Sequence, residues 1–247
     1  MSKATVISRL APTPSGYLHL GNILNFYLTW KKVRENNGIL WLRIDDMDTE
    51  RLRPSYVEDI FRTLEWLKID YDEGPSGPDD FYKNFSQQKK IEYYRDKVKN
   101  IQDCFNCVCG RKERKKRLDS CQGKNLNFTK GKTVTRVVTS RDITMGDFVV
   151  WRKNNLPSWI LTCVIDDYDM GVNLIVRGED LLESSEAQIF LVEKLGLNME
   201  MEYLYHKLIT DKKGKKLSKS KGASIKSLRE QKTPPSEVMQ KILGYEK

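Results

Sequence analysis

The chain has 247 residues, 39% hydrophobic and 31% charged, a balance that fits a globular protein and excludes a disordered one. No run approaches the ~18 apolar residues of a membrane span, and in the first ten residues Lys3 and Arg9 bracket only a short apolar stretch, unlike a signal peptide. The expectation is a cytoplasmic protein without membrane contact. Net charge is +9, and the excess is local: 111–117 and 210–221 each carry a net +5, on a near-neutral body. Two compact basic segments point to a polyanion such as nucleic acid or nucleotide phosphates, with solvated Lys-rich loops as the alternative.

Thr5 to Leu10 reads as a short strand, stopped by the turn residues Ala11-Pro12-Thr13-Pro14-Ser15-Gly16. A helix is expected over Leu20–Glu35, apolar on most sides as for packing on a sheet, with Gly38 after it as a stop. Ile39 to Ile44 reads as a buried strand leading into Asp45, Asp46 and Asp48. Pro54 suits a first helical turn, and Val57, Ile60, Phe61, Leu64 and Leu67 then recur at helical spacing. Asp70 to Phe81 reads as a loop. Ile91, Tyr94, Val98 and Ile101 mark a further helix, with Ser86 as its cap.

The character changes over 102–147, where cysteines, basic residues and short strand-like pieces such as Thr133–Val138 read as an inserted subdomain. The rhythm then resumes. Trp159–Ile165 and Val172–Val176 are expected as strands, Glu183–Leu195 as a helix ended by Gly196, and Tyr203–Ile209 as a last strand. This alternation predicts an α/β fold with a parallel sheet, whose ligands sit at the carboxyl ends of the strands. The expected organisation is a catalytic domain in two halves, 1–101 and 148–209, split by the insertion, followed over 210–247 by a Lys-rich loop and a short helical tail.

Four of the five cysteines, Cys104, Cys107, Cys109 and Cys121, cluster within eighteen residues. Clustering without a secretory signal favours metal over disulfides, and four thiolates suit tetrahedral zinc; reduced, partly buried thiols are the alternative. Cys163 lies apart, in an apolar run.

Two segments carry chemistry. Arg9 to Asn22 ends a strand, turns, and opens a helix with His19 and Gly21 at its start; such a helix start attracts anions, and His19 can donate to a phosphate oxygen. Gly214 to Gly222 is a Lys-rich loop between glycines, able to close ammonium groups over a triphosphate. Each alone is weak. In this order, about 200 residues apart, His19-Leu20-Gly21-Asn22 and Lys216-Leu217-Ser218-Lys219-Ser220 resemble the two signatures of class I aminoacyl-tRNA synthetases. Leu42 to Asp48, Asp166 to Gly171 and Val176 to Asp180 are similar to segments of the glutamyl-tRNA synthetase family, a resemblance running from about residue 5 to residue 225.

That resemblance implies a Rossmann-like domain that joins glutamate, or a close analogue, to ATP accompanied by Mg2+. It implies His19, Lys216 and Lys219 as catalytic residues. His19, Gly21, Asn22, Lys216, Ser218 and Lys219 would hold ATP, and Arg9, Ala11, Thr13, Asp45, Trp159, Cys163 and Arg177 the amino acid. The attacking carboxylate is already anionic, so activation needs positioning and charge neutralisation rather than a base. Asp45 stands where the family has Glu, Trp159 where it has Tyr, Cys163 where it has Asn, and Thr13 where it has Ser. Only 27 residues follow Ser220, so no anticodon-binding domain is expected, and the chain is closest to the stand-alone glutamyl-queuosine tRNA(Asp) synthetases. These carry zinc in the insertion and load the queuosine base of the tRNA(Asp) anticodon loop, which gives tRNA as partner, a monomer, and structural Zn2+ as expectations. The competing readings are an adenylate-forming ligase with another amino acid or a non-tRNA acceptor, and a non-catalytic tRNA-binding relic.

Overall fold

The structure is a computed structural model that describes residues 5–110, 121–139, 143–209 and 224–245. The basic run 111–117 and the Lys-rich signature, with Lys216, Ser218 and Lys219, lie outside the described residues. In chain order the elements are β1 (Ile7–Leu10), α1 (Leu20–Glu35), β2 (Ile39–Leu42), α2 (Pro54–Leu67), α3 (Ile91–Lys99), β3 (Cys104–Cys107), β4 (Val134–Val137) and β5 (Phe148–Trp151). There follow α4 (Trp159–Asp169), β6 (Leu174–Gly178), α5 (Leu182–Lys194), β7 (Glu202–His206), α6 (Ile225–Glu230) and α7 (Pro235–Leu243). They group into two compact units, one of Met1–Gln87, Met170–Asp180 and Glu200–Lys247, the other of Gln88–Asp169 and Leu181–Met199.

The first unit is the parallel α/β part. β1 pairs with β2 from Ile7↔Ile39 to Leu10↔Leu42, and β6 with β7 from Leu174↔Glu202 to Gly178↔His206, both parallel. The two pairs lie side by side. Ile7 N–H donates to Asn173 Oδ1 at 2.8 Å, Asn173 N–H to Ile7 O at 3.0 Å, and Ser8 Oγ to Leu174 O at 2.8 Å. The two ladders remain separate two-stranded sheets, with β1 of one beside β6 of the other. Strands buried on both faces read as continuous apolar runs rather than alternating ones, and all five residues of β6 are buried. Ile23, Leu24, Phe26 and Val33 of α1 and Val57, Ile60, Leu64 and Leu67 of α2 enter the core with Leu10, Leu40 and Leu42. Each such side chain contributes roughly 1.5–3 kcal/mol by leaving water. Pro54 opens α2 as expected. The segment expected as loop over Asp70–Phe81 contains a helical turn, Pro78–Asp80, which runs into a wider turn over Phe81–Phe85 and puts Phe81 in the core.

The second unit holds an antiparallel sheet in the order β3–β4–β5, together with α3, α4 and α5. Two expectations are corrected here. Ser86 does not cap α3: a 3₁₀ turn, Gln87–Lys90, leads into that helix, whose N-cap is Lys90. The run Trp159–Ile165 is not a strand but the body of α4. Its residues Leu161 to Asp167 are all buried, so no polar face marks a helical period, and a continuous apolar run does not distinguish a buried helix from a strand. Pro157 and Ser158 set its start: Ser158 O accepts from Thr162 N–H at 3.1 Å and Ser158 Oγ from Leu161 N–H at 3.3 Å. Asp166 anchors its far end, accepting from Tyr94 Oη at 2.8 Å and Lys90 Nζ at 2.6 Å. No described helix is long and apolar enough to cross a membrane.

Candidate active site

Arg9 in β1, Asp45 after β2, Arg177 in β6 and His206 in β7 lie at or near the carboxyl ends of their strands. After Leu10 the chain turns but stays tied to the exit of β2, through Arg43 N–H to Leu10 O and Asp45 N–H to Pro12 O, both 2.9 Å. Ala11 and Thr13 lie half-buried on this turn. Helix α1 then opens on His19 as N-cap. His19 Nδ1 accepts from Gly21 N–H at 3.1 Å, and Asn22 Oδ1 returns a bond from His19 N–H at 3.1 Å. This reciprocal cap satisfies helix-start donors within the chain itself. An Nδ1 that accepts leaves the ring proton on Nε2, which makes Nε2–H the atom that would meet a phosphate oxygen. Gly21 has a specific steric role: a Cβ there would stand 3.0 Å from His19 Cε1. The Asn22 side chain, expected at the nucleotide, forms part of the cap.

Arg9 and Arg177 are 5% and 4% exposed, on neighbouring strands. The Arg177 guanidinium lies over the Tyr203 ring, 5.4 Å from its centroid. Asp45, expected to meet a substrate ammonium, is 3% exposed and already paired: Arg43 Nε donates to its Oδ1 at 2.7 Å, and Gln87 Nε2 reaches the same oxygen at 3.4 Å. Asp46 accepts from Ser86 Oγ at 2.5 Å and Gln87 N–H at 2.9 Å. Ser86 therefore fixes the loop after β2.

Arg43 and His206 were not singled out from the sequence. Arg43 is two residues before Asp45, the spacing that puts side chains on one face of an extended segment. His206, the last residue of β7, lies beside Asn25, whose Nδ2 is 3.3 Å from His206 Nε2 and 2.9 Å from Val176 O. Its Nδ1 lies 2.9 Å from Lys207 O. A carbonyl only accepts, so Nδ1 carries the proton and Nε2 accepts from Asn25. Being one of only two histidines, at the end of an expected strand, was the available signal.

In the second unit, Trp159 and Cys163 sit four residues apart on α4, hence on one helix face. The thiols of Cys107, Cys109 and Cys121 lie within 4.8 Å of one another, with Cys109 and Cys121 Sγ 3.3 Å apart. Cys109 N–H donates to Cys107 Sγ at 3.3 Å. The Val108 backbone N–H, bonded to the Cys121 sulfur, holds that thiol below its ordinary pKa, and the Cys109 thiol, hydrogen-bonded to Cys121, is pushed up to about 12. Three thiols this close fit thiolate ligation of a metal such as zinc. Among the described residues, Cys104 is not brought to the group. It opens β3 while Cys107 closes it, and positions three apart on a strand point to opposite faces. Burial first, then Asp103, raise its thiol to about 11.

The family model for class I tRNA synthetases (E and Q), catalytic domain, matches residues 5–127 and 117–245. Among curated relatives, Glutamate--tRNA ligase 1 of Coxiella burnetii (strain RSA 331 / Henzerling II) is 29% identical over 271 residues, covering 96% of this chain and 55% of that one. Glutamate--tRNA ligase 2 of Syntrophus aciditrophicus (strain SB) is 30% identical over 270 residues, covering 94% and 55%. The chain thus spans about half the length of the curated relatives it matches. Among solved structures, a glutamate-tRNA synthetase from Elizabethkingia anophelis aligns with TM-score 0.69 at 24% identity, over 88% of this chain and 53% of that one. Mycobacterium tuberculosis methionyl-tRNA synthetase in complex with methionyl-adenylate aligns with TM-score 0.61 at 10% identity, over 98% and 64%. At these identities the likeness is one of fold, and it agrees with the parallel α/β fold expected from the strand–helix rhythm. The match across nearly the whole chain establishes that the protein belongs to the class I tRNA synthetases (E and Q), catalytic-domain family.

Proposed function

We propose that the chain activates glutamate as an adenylate and transfers the glutamyl group to tRNA, the acceptor being the queuosine base of tRNA(Asp). The observation that carries the first step is the pair of buried arginines, Arg9 and Arg177, at the carboxyl ends of neighbouring strands. Guanidinium groups bind a carboxylate bidentately, which favours an acidic side chain over a neutral one. The substrate α-carboxylate attacks the α-phosphorus of ATP; the bond to the bridging oxygen breaks, and pyrophosphate leaves with its electron pair. His19 Nε2–H donates to a phosphate oxygen, Lys216 and Lys219 neutralise the charge gathering on the leaving group, and Mg2+ accompanies ATP as part of the substrate. With Asp45 held by Arg43, a substrate ammonium joins an existing ion pair as a further partner instead of meeting a lone carboxylate.

What supports the acceptor is the Cys107-Val108-Cys109 pair, similar to the Cys-x-Cys of the glutamyl-queuosine synthetase insertion; Cys121 stands where that pattern has tyrosine and Asn125 where it has its last cysteine, although the Cys121 thiol is gathered beside the pair. Cys107, Cys109 and Cys121 would hold zinc, whose part is to close the insertion rather than to enter the reaction. The names of the relatives favour a second acceptor, tRNA(Glu). Transfer of labelled glutamate separates them: label on queuosine-containing tRNA(Asp), and none on tRNA(Asp) lacking the base, supports the proposal. Label on tRNA(Glu) alone replaces it with the second reading.

A further inference from the structure

We infer that the second unit contains a binding pocket for a nucleotide, in which Arg136 holds the phosphate and Trp159 takes the base. The pocket is a cavity of about 1110 Å³ between β4, β5 and the start of α4, lined among others by Arg136, Arg152, Lys153, Phe148, Met145 and Trp159. Among the described residues, three cations line it and no acid does. Most of the remaining lining is aromatic or aliphatic, so the complementary ligand is an anion with a flat, weakly polar body.

Arg136 carries this inference. It is 5% exposed, yet among the described residues its only side-chain hydrogen bond is a long one, 3.3 Å, from Nη1 to Asp147 O. Its Nε is buried without a partner. The nearby Asp147 carboxylate is engaged elsewhere, accepting from Thr139 N–H at 2.9 Å and Thr139 Oγ1 at 3.3 Å. Among the described residues no carboxylate oxygen bonds this guanidinium, and an anion that did so would offset the cost of burying it. The start of α4 adds to the attraction: Trp159 and Ile160, in its first turn, line the same cavity, and a helix N-terminus favours negative charge. Trp159, half-buried at the cavity, offers a ring on which a base stacks, while the buried Phe148 backs the apolar wall.

The identity of the physiological nucleotide rests on the adenylate-and-transfer reading, in which a tRNA loop nucleotide must reach the protein; the pocket itself does not. The two sources, a free nucleotide or one within RNA, are separated by the probes. Binding is measured with GMP, inorganic phosphate, and a short anticodon stem-loop RNA, for the unaltered chain, Arg136→Met and Arg136→Lys. GMP should bind more tightly than phosphate. Arg136→Met should weaken GMP by about tenfold or more, as expected for losing a charge-assisted contact, and Arg136→Lys should restore most of it. Without ligand, Arg136→Met should melt no lower than the unaltered chain, because it removes a buried charge. Displacement of GMP by the stem-loop makes RNA the source; GMP binding that the stem-loop leaves untouched makes a free nucleotide the source. Equal affinity for GMP and phosphate, or unchanged GMP affinity in Arg136→Met, overturns the pocket. Should Arg136→Met fail to fold, Arg152→Met in the same titration decides, unchanged affinity again overturning it. Amino-acid-dependent ATP–pyrophosphate exchange by the unaltered chain is followed in parallel. Its loss with GMP binding intact overturns the adenylate reading alone, and the reverse overturns the pocket alone.

Discussion

Gly21 has no side chain, and a Cβ there would stand 3.0 Å from Cε1 and 3.1 Å from Nδ1 of the His19 ring. A methyl group 3.0 Å from Cε1 asks the ring to give by a few tenths of an ångström, so Gly21→Ala should cut the rate of adenylate formation on the order of 10-fold while leaving the melting temperature nearly unchanged; a misplaced contact costs rate before it costs stability. Steady-state exchange kinetics with a melting curve check this, and full activity would mean that the ring's pose is immaterial. Asp45 behaves differently. Its pair with Arg43 is 3% exposed on both sides, so Asp45→Asn leaves Arg43 with a weakened partner in a buried place and should destabilise the fold by about 3–5 kcal/mol. Urea unfolding gives the number, and a loss below about 1 kcal/mol would show that Gln87 and other neighbours carry the charge. At this scale the helix start at His19 was legible, because turn residues stop the strand before it; a role for His19 and Gly21 at a nucleotide became specific only through the resemblance. The engagement of Asp45 was not, since its partner's choice depends on where Gln87 and the β2 exit meet in space.

Helices and strands were legible where one face meets water. α1, apolar on most sides, was marked by the turn before it and Gly38 after it, and begins and ends where the sequence predicts; α2 shows its period. α4 does not, because its buried residues surround the axis and include acids held by internal partners. β3 and β5, four residues each, are too short to carry an alternating signal. The α4 anchor is testable. Tyr94 is fully buried and donates to Asp166 at 2.8 Å, so Tyr94→Phe deletes one hydrogen bond to a charged group and should cost about 1.5–3 kcal/mol, with Lys90 still in place. Thermal unfolding of the variant measures it, and no change would show that Lys90 alone holds Asp166. The cysteine cluster also belongs to this scale. Its sequence spacing offered four thiols, but the strand pleat separates Cys104 from Cys107 and leaves three together. Metal analysis of protein prepared without chelator should find near one zinc per chain, retained in Cys104→Ser and lost in Cys121→Ser. Equal retention in both variants would contradict the three-thiol site.

Across the whole chain, two pairs of parallel strands join through Ile7, Ser8 and Asn173, residues about 165 positions apart. Such a contact is invisible to local pattern and was reached from the sequence only through the strand–helix rhythm and the paired signatures at His19 and Lys216. What the joined strands achieve is to bring Arg9 and Arg177, distant in the chain, to one edge with the capped start of α1. That arrangement makes the central claim a matter of substrate charge. ATP–pyrophosphate exchange, run with each amino acid in the absence of tRNA, tests it most directly. The account predicts exchange with glutamate or a close acidic analogue, absent with neutral amino acids and reduced when Arg9 or Arg177 is replaced by methionine. Exchange that is fastest with a neutral amino acid, or indifferent to both arginines, would contradict it.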